Sequence, residues 1–210
     1  MTEDFSDENI RKNCFFCDPG TSAYKFLIEE RKSFRILCDA NPLREGHIII
    51  VAKEHLSCMG SFPGEIFEEF TEIFGEVRGF VEKNYGQVAS FEHGIFGQTA
   101  YHSHVHSLPF PGGVTEIIPE GQNKLIPIQK ESELKQCLEK DGGYLFLRIG
   151  LESWVVDPAL QAPRFFRDRF AVALGRPERA DWKKMHFNSE IMTIAEQENR
   201  KTIGLWKSQH

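Results

Sequence analysis

The sequence predicts an α+β fold, in which an antiparallel sheet carries one long packed helix and is followed by an α/β extension. Two aliphatic runs, 34–39 and 47–53, are separated by a loop with Pro42 and Gly46, which is typical of paired strands. The stretch 61–86 has apolar residues at helical spacing. The 210 residues allow one domain, or one domain with a sizeable extension.

Before these strands lie two cysteines three positions apart, in "CFFCDPG", residues 14–20. The sequence predicts a tight turn here, and a short helix or extended segment over 21–30. Two thiolates at this spacing can both reach one zinc ion, but no second such pair exists in the chain. From the spacing alone, half of a metal site and a pair of reduced thiols are equally good interpretations.

The clearest helix covers 61–86. Ser61 is a candidate N-cap, Pro63 suits the first turn, and Glu65 lies nearby. One face of this helix is apolar and is predicted to be core; it comprises Ile66, Phe67, Phe70, Ile73, Phe74, Val77, Phe80 and Val81.

A strand and a loop, 87–100, then lead into "YHSHVHSLPF", residues 101–110, which we predict to be a strand. Side chains two apart share one face of a strand, so His102, His104 and His106 are expected to point the same way. The outer two would then be about 13 Å apart at the backbone, too far for all three to converge on one metal ion. The three imidazoles are therefore expected to have different roles.

The second half of the chain, 113–210, predicts a hairpin at 144–156, a helix at 162–175 and a last helix at 189–203. Arginines in the first of these helices are interpreted as its wet face rather than as a nucleic-acid patch; they are Arg164, Arg167 and Arg169. This half could close over a pocket, cover the sheet or mediate a dimer.

Composition excludes some functions. The net charge of −6 argues against a basic surface for nucleic acid. No apolar run approaches the roughly 20 residues that span a bilayer, and the first 13 residues are polar, unlike a signal peptide. We therefore expect a cytoplasmic protein that has neither nucleic acid nor membrane as a partner. An odd number of cysteines, five, argues against a disulfide framework.

The segment "HSHVHSL" resembles the signature of the histidine triad (HIT) family, and "GQTAYHSHVH" and "CDANPLREGHIIIVAKEH" extend the resemblance over about 14–112. The resemblance implies a HIT-like catalytic domain over 1–112 and an extension of unknown role, packed on or beside it, over 113–210. The sequence departs from the family at Ser103 and Ser107, which replace aliphatic residues, and in "FEHG", residues 91–94, where many members have an asparagine that contacts phosphate.

For catalysis, the resemblance implies that His104 attacks the α-phosphate of a nucleotide and forms a nucleotidyl-histidine intermediate. A neutral imidazole is a good nucleophile near pH 7, provided that its far ring nitrogen is held by a hydrogen bond, for which a backbone carbonyl is the expected acceptor. His106 would donate to a phosphate oxygen or assist the leaving group. His47 would support the triad from the neighbouring strand, although a core histidine is an equally simple interpretation.

For substrate binding, the same resemblance implies that Asp39 accepts hydrogen bonds from both ribose hydroxyls, with an exposed turn aspartate as the competing interpretation. Leu37 would lie beside the base. Gln98 and Thr99 would help to meet the charge on the phosphoryl oxygens.

Zinc-containing relatives imply a metal site made of Cys14, Cys17, His55 and His102. Two thiolates and two imidazoles complete a tetrahedral site with no open position, so the zinc would be structural.

The leading hypothesis is a nucleotide hydrolase that cleaves a P–O or P–N bond at the α-phosphate of an adenosine-type conjugate or a dinucleoside polyphosphate. A hydrolase is preferred because His106 fills the third triad position, where transferring relatives often have glutamine. The alternatives are a nucleotidylyltransferase or phosphorylase of the same superfamily, and a non-catalytic nucleotide-binding module. The expected partner is a small-molecule nucleotide, and a homodimer is one option for the assembly.

Overall fold

The computed structural model describes residues 14–210. The polar start of the chain, 1–13, on which the expectation of a cytoplasmic protein partly rests, lies outside these residues. Within the described part of the chain, no helix combines the length and the apolar character that a membrane crossing demands.

The predicted α+β class is confirmed. The strands are β1 (Leu27–Glu30), β2 (Phe34–Cys38), β3 (Ile48–Ala52), β4 (Val88–Gly94), β5 (His104–Pro109), β6 (Leu125–Ile128), β7 (Tyr144–Ile149) and β8 (Glu152–Val156). The helices are α1 (Gly64–Tyr85), α2 (Val114–Ile117), α3 (Leu134–Asp141), α4 (Phe165–Ala173), α5 (Trp182–Met185) and α6 (Ser189–Lys207). The eight strands pair antiparallel in one sheet, in the order β1-β2-β3-β5-β4-β7-β8-β6.

The long helix α1 begins later than its sequence signals indicate. Pro63 is its N-cap residue, not part of its first turn. The Ser61 hydroxyl accepts a hydrogen bond from the Cys58 amide at 3.3 Å, so Ser61 serves the short 3-10 turn Met59–Ser61 instead of α1. The apolar face of α1 is nevertheless core, because Phe70, Val77 and its other inward residues are buried against the sheet.

The two faces of the sheet are covered by different layers. On one face, Val105 of β5 packs in the large core that α1 closes. The other face carries two smaller apolar clusters, one around Phe16 and one around Phe91, the latter completed by α4. His104 lies against the ring of Phe16 and His106 is stacked on Phe91, so these two histidines occupy the gap between the clusters.

Strand β5 is shorter than predicted. It begins at His104, and the Ser103 amide donates to the carbonyl of Leu56 at 2.6 Å, which holds the preceding residues in a bend. The prediction that the three histidines share one strand face is therefore wrong for His102, which precedes the strand. His104 and His106 share a face, as alternation requires.

The residues after 112 continue the sheet. Strand β7 pairs with β4 from Ala89↔Ile149 to Gly94↔Tyr144, and β8 and β6 follow on its far side. The expected hairpin at 144–156 is present as β7 and β8. Strand β4, which carries part of the histidine site, is therefore an interior strand with a neighbour on each side.

Gly97, in the loop before the histidines, is a position where a side chain should be costly. Its φ is +71° and a Cβ would overlap the carbonyl oxygen of Ala162, whereas Gly175 has a φ of +67° and no atom within 4 Å of the same position. We expect Gly175→Ala to lower the free energy of unfolding by about 1–2 kcal/mol through its backbone conformation. Gly97→Ala should cost about 1–3 kcal/mol more through the overlap. Urea denaturation of both variants tests this, and equal losses would contradict it.

Candidate active site

Two cysteines and two histidines meet where the "CFFCDPG" turn approaches the bend before β5. The ligand atoms of Cys14, Cys17, His55 and His102 lie within 4.8 Å of one another. The Cys17 sulfur is 3.2 Å from His55 Nδ1, and the Cys14 sulfur is 3.4 Å from His102 Nδ1. We call these four residues the Cys/His cluster.

The ring of His102 is oriented to act as a ligand. Its Nε2 lies 2.7 Å from the carbonyl oxygen of Ala52, so Nε2–H donates and the lone pair belongs to Nδ1, which faces the sulfurs. Burial lowers the pKa of His102 to about 4, which keeps the ring neutral. Two sulfurs and two imidazole nitrogens form a donor set that suits a closed, tetrahedral zinc ion, so the residues present fit such a metal.

His104 is held in the opposite tautomer by its neighbour. Its Nδ1 lies 2.6 Å from the carbonyl oxygen of His102, so Nδ1–H donates and Nε2 keeps its lone pair. Burial lowers the pKa of His104, and the hydrogen bond to His102 opposes this only in part. The ring lines a pocket, so His104 combines the neutral form of imidazole with the backbone acceptor that the sequence led us to expect.

His106 and His47 form a second imidazole arrangement. The Leu43 amide donates to His47 Nδ1 at 3.1 Å, so neutral His47 carries its proton on Nε2. That Nε2–H donates to His106 Nδ1 at 2.9 Å, which leaves the His106 proton on Nε2. Burial lowers the pKa of His47 to about 4 and that of His106 well below its usual value. His106, which lines the pocket, is thereby set as a hydrogen-bond donor while neutral.

Asp39 is buried, not an exposed turn residue. Its Oδ2 is 3.7 Å from His47 Nε2 and 3.6 Å from His106 Nδ1. It also accepts a hydrogen bond at 3.1 Å from Arg167 of α4. The interpretation of Arg167 as part of a wet helix face is therefore wrong, since this side chain is buried and paired.

The histidines open into a cavity of about 700 Å³. Of the residues predicted to bind substrate, Asp39 and Thr99 line it. Leu37 does not, because it is fully buried behind Phe16. Gln98 is also buried outside the lining, and its amide donates to the carbonyl of Ser57 at 2.7 Å.

The extension supplies one wall of this cavity, and no sequence motif predicted that contribution. The residues in this wall include Arg164, Arg167, Trp182, His186 and Met192. A signal for Arg167 was present in its spacing. Phe170 and Ala171, three and four residues further on, are both buried, which places Arg167 on the inward side of α4. The arginine type, which is usually exposed, concealed that signal.

The two unusual serines belong to buried polar networks behind the histidines. Ser103 donates to Glu92 at 2.8 Å, and Tyr144 donates to the same carboxylate at 2.5 Å. Burial raises the pKa of Glu92 to about 7. Ser107 shares a hydrogen bond of 2.8 Å with Ser90. Each serine therefore supplies one hydrogen bond to a buried polar partner on β4, which an aliphatic residue would remove.

Acid should destabilise this site through histidines that stay neutral when buried. Burial lowers the pKa of His93 to about 3, and the unfolded value is about 6.5, so below pH 6.5 the unfolded chain binds a proton that the folded protein does not. The contribution of His93 to the free energy of unfolding should fall by about 1.4 kcal/mol per pH unit from pH 6.5 towards pH 3 and be constant above pH 6.5. Urea denaturation of the wild type and His93→Gln between pH 4 and 8 measures this difference, and parallel pH dependences would contradict it.

The fold and the site define an α+β protein with a histidine site and an adjoining Cys/His cluster on one antiparallel sheet. Residues 21–111, less than half of the chain, match the family model of the HIT domain, and this segment therefore carries the resemblance to the histidine triad family that its motifs predicted. No curated protein matches the sequence.

Solved structures that are similar include a hypothetical protein from Leishmania major, with 22% identity, 48% of this chain and 75% of that chain covered, and a TM-score of 0.41. A zinc-bound histidine triad family protein from Mycobacterium smegmatis has 21% identity, coverage of 49% and 78%, and a TM-score of 0.41. Yeast Ap4A phosphorylase in complex with Ap4A has 12% identity, coverage of 88% and 78%, and a TM-score of 0.46.

Proposed function

We propose that this protein is a nucleotide hydrolase that cleaves a P–O or P–N bond at the α-phosphate of an adenosine-type conjugate or dinucleoside polyphosphate. The observation that carries the proposal is the 2.6 Å hydrogen bond from His104 Nδ1 to the carbonyl of His102. It leaves the Nε2 lone pair for attack on phosphorus without prior loss of a proton.

In the proposed reaction, His104 Nε2 forms a bond to the α-phosphorus while the bond to the leaving group breaks. His106 Nε2–H donates to a phosphoryl oxygen or to the leaving group, which needs a proton as it departs. Water then attacks the same phosphorus and gives up a proton, which replaces the proton that His106 passed to the leaving group. The P–N bond to His104 breaks, and the nucleoside monophosphate is released. His47 is a positioning residue, because it holds His106 Nδ1 and thereby fixes which nitrogen of His106 donates.

For substrate binding we propose Asp39 and Thr99 as direct contacts, which their places in the cavity wall support. Leu37 and Gln98 would act from behind the wall. Leu37 supports Phe16, and Gln98 ties the loop before the histidines to Ser57. A cavity of about 700 Å³ suits a small-molecule nucleotide rather than a nucleic acid chain.

We also propose that Cys14, Cys17, His55 and His102 hold a structural zinc ion. Their ligand atoms are already grouped, and His102 is fixed as an Nδ1 ligand by its hydrogen bond to Ala52. When bound, the metal would supply a fixed point between the cysteine turn and the bend before β5.

The proposal is tested by product analysis. The protein is incubated with diadenosine polyphosphate or an adenosine phosphoramidate, with the guanosine analogues in parallel, in the presence of labelled inorganic phosphate. A hydrolase releases unlabelled monophosphate, and adenosine substrates should react faster than guanosine ones. Label in a nucleoside diphosphate would instead identify a phosphorylase. Nucleotide binding with neither turnover nor an acid-labile adduct would identify a binding module.

A further inference from the structure

Arg167 has no role in the proposed reaction, although its side chain is charged, lies at the site and makes several hydrogen bonds. We propose that Arg167 is a positioning residue that, by pairing with Asp39, keeps the imidazole pair His47–His106 neutral and in one tautomer. This inference rests on the proposed function only for the use made of His106 as a donor. The arrangement itself is a property of the resting protein.

Each of the three guanidinium nitrogens of Arg167 donates a hydrogen bond to the protein. Its Nη1 donates to Asp39 Oδ2 at 3.1 Å, and its Nε donates to the Ala180 carbonyl at 3.1 Å. Its Nη2 donates to the carbonyls of Asn41 and Arg179, the latter at 3.2 Å. Arg167 therefore joins α4 to the turn that begins with Asp39, in a geometry that only a forked side chain can satisfy.

The carboxylate of Asp39 faces both imidazoles at close range. Its Oδ2 is 3.6 Å from His106 Nδ1 and 3.7 Å from His47 Nε2. The other charged or titratable groups that face His106 are His104 on its own strand, His93 on β4 and Arg167 on α4. Burial is the main reason that the pair is neutral; Asp39 is the negative group that opposes burial by its position, and Arg167 is the positive group that opposes Asp39.

An extra proton would break the imidazole arrangement. Both nitrogens of His47 are in use, because Nδ1 accepts from Leu43 and Nε2–H donates to His106. A proton added to His106 Nδ1 would set two N–H groups against each other, and one added to His47 Nδ1 would break the bond from Leu43. An unpaired carboxylate at this distance favours such a proton, and Arg167 removes that driving force by pairing with it.

The extension offers a matched control in Arg179. This residue is also buried, and its Nη1 donates to the carbonyl of Pro42 at 2.9 Å in the same turn. Its ion pair is with Glu198, not with Asp39. Arg179→Gln should therefore disturb the turn without uncovering the carboxylate that faces the imidazoles.

The test is a histidine titration by NMR on the protein as purified, with labelled histidine side chains. In the wild type, His47 and His106 should remain neutral down to about pH 5, because burial lowers the pKa of His47 to about 4. Arg167→Gln should move proton uptake by this pair upward by about 1–3 pH units. Arg179→Gln and the double variant Asp39→Asn/Arg167→Gln should each titrate like the wild type.

Two results would overturn the proposal: no upward shift in Arg167→Gln, or an equal shift in Arg179→Gln. If Arg167→Gln does not fold, the titration is replaced by thermal denaturation of the wild type, Asp39→Asn and the double variant Asp39→Asn/Arg167→Gln. The double variant should then melt above Asp39→Asn, which leaves a buried cation unpaired. A double variant that melts below Asp39→Asn would refute the pairing. None of these measurements uses substrate, so they stand even if the proposed reaction fails.

Discussion

Replacing His104 by alanine is expected to abolish the proposed reaction, with a loss in kcat of about 10⁴-fold or more, because the variant has no nucleophile to form the covalent intermediate. His106 cannot substitute for it, since its pocket-facing nitrogen carries a proton fixed by the hydrogen bond from His47 at 2.9 Å. The measurement is turnover of the substrate found in the product screen. In parallel, mass spectrometry searches for a nucleotide that is attached to the protein by an acid-labile bond. This adduct is expected on His104 of the wild type.

A matched control is His210→Ala, which removes an imidazole that stacks on Trp206, away from the cavity. This variant should turn over substrate as fast as the wild type and should form the same nucleotide adduct on His104. Equal turnover in His104→Ala and the wild type would refute the assignment of His104. Loss of turnover in both variants would show that the assay reports folding rather than chemistry.

Local patterns were enough to predict the main strands and the long helix of the first half of the chain, apart from the residues at which α1 and β5 begin. Helix α1 could be predicted because the spacing of residues such as Phe70, Phe74 and Val77 is itself the cause of its burial. The grouping of Cys14 with His55 and His102 came from the resemblance to zinc-containing relatives. The hydrogen bond to the far nitrogen of His104 could be expected because the bond acts within two residues of the chain.

What the sequence concealed depends on distant partners. The strand begins at His104 because Ser103 is bonded to Leu56, and no local pattern contains that pairing. Arg167 pairs with Asp39, which lies 128 positions earlier in the chain. Arginine side chains are usually exposed, but this pairing holds Arg167 in a buried position. Ser103 is likewise explained by a distant partner, because its hydroxyl donates a hydrogen bond to Glu92 on β4.

The histidine site depends for its stability on contacts with the extension. The Asp39 turn is held from α6 as well as from α4, since Asn199 donates to the Asp39 carbonyl at 2.9 Å and the Gly46 amide donates to Thr202 at 3.1 Å. These contacts fix the backbone that carries Asp39 at one end and His47 at the other. A truncation near residue 112 would therefore remove partners of the site itself.

Removing the proposed zinc ion is expected to have the second large effect, on both stability and turnover. The binding free energy of a structural zinc ion is on the order of 10 kcal/mol, comparable with the whole free energy of unfolding of an ordinary domain. The effect on turnover has a specific route, because His102 offers Nδ1 to the Cys/His cluster and its carbonyl to His104. If the cluster loosens, the bond that leaves the His104 lone pair free loosens with it.

The measurements are zinc content, thermal denaturation and kcat of the wild type, of Cys17→Ser and of Cys137→Ser, a control that lies outside the cluster. The wild type and Cys137→Ser should each hold about one equivalent of zinc, while Cys17→Ser should lose the metal, melt lower and turn over more slowly. Absence of zinc from the wild type would remove the metal assignment. If Cys17→Ser loses zinc and stability but keeps kcat, the metal supports the fold without holding His104 through His102.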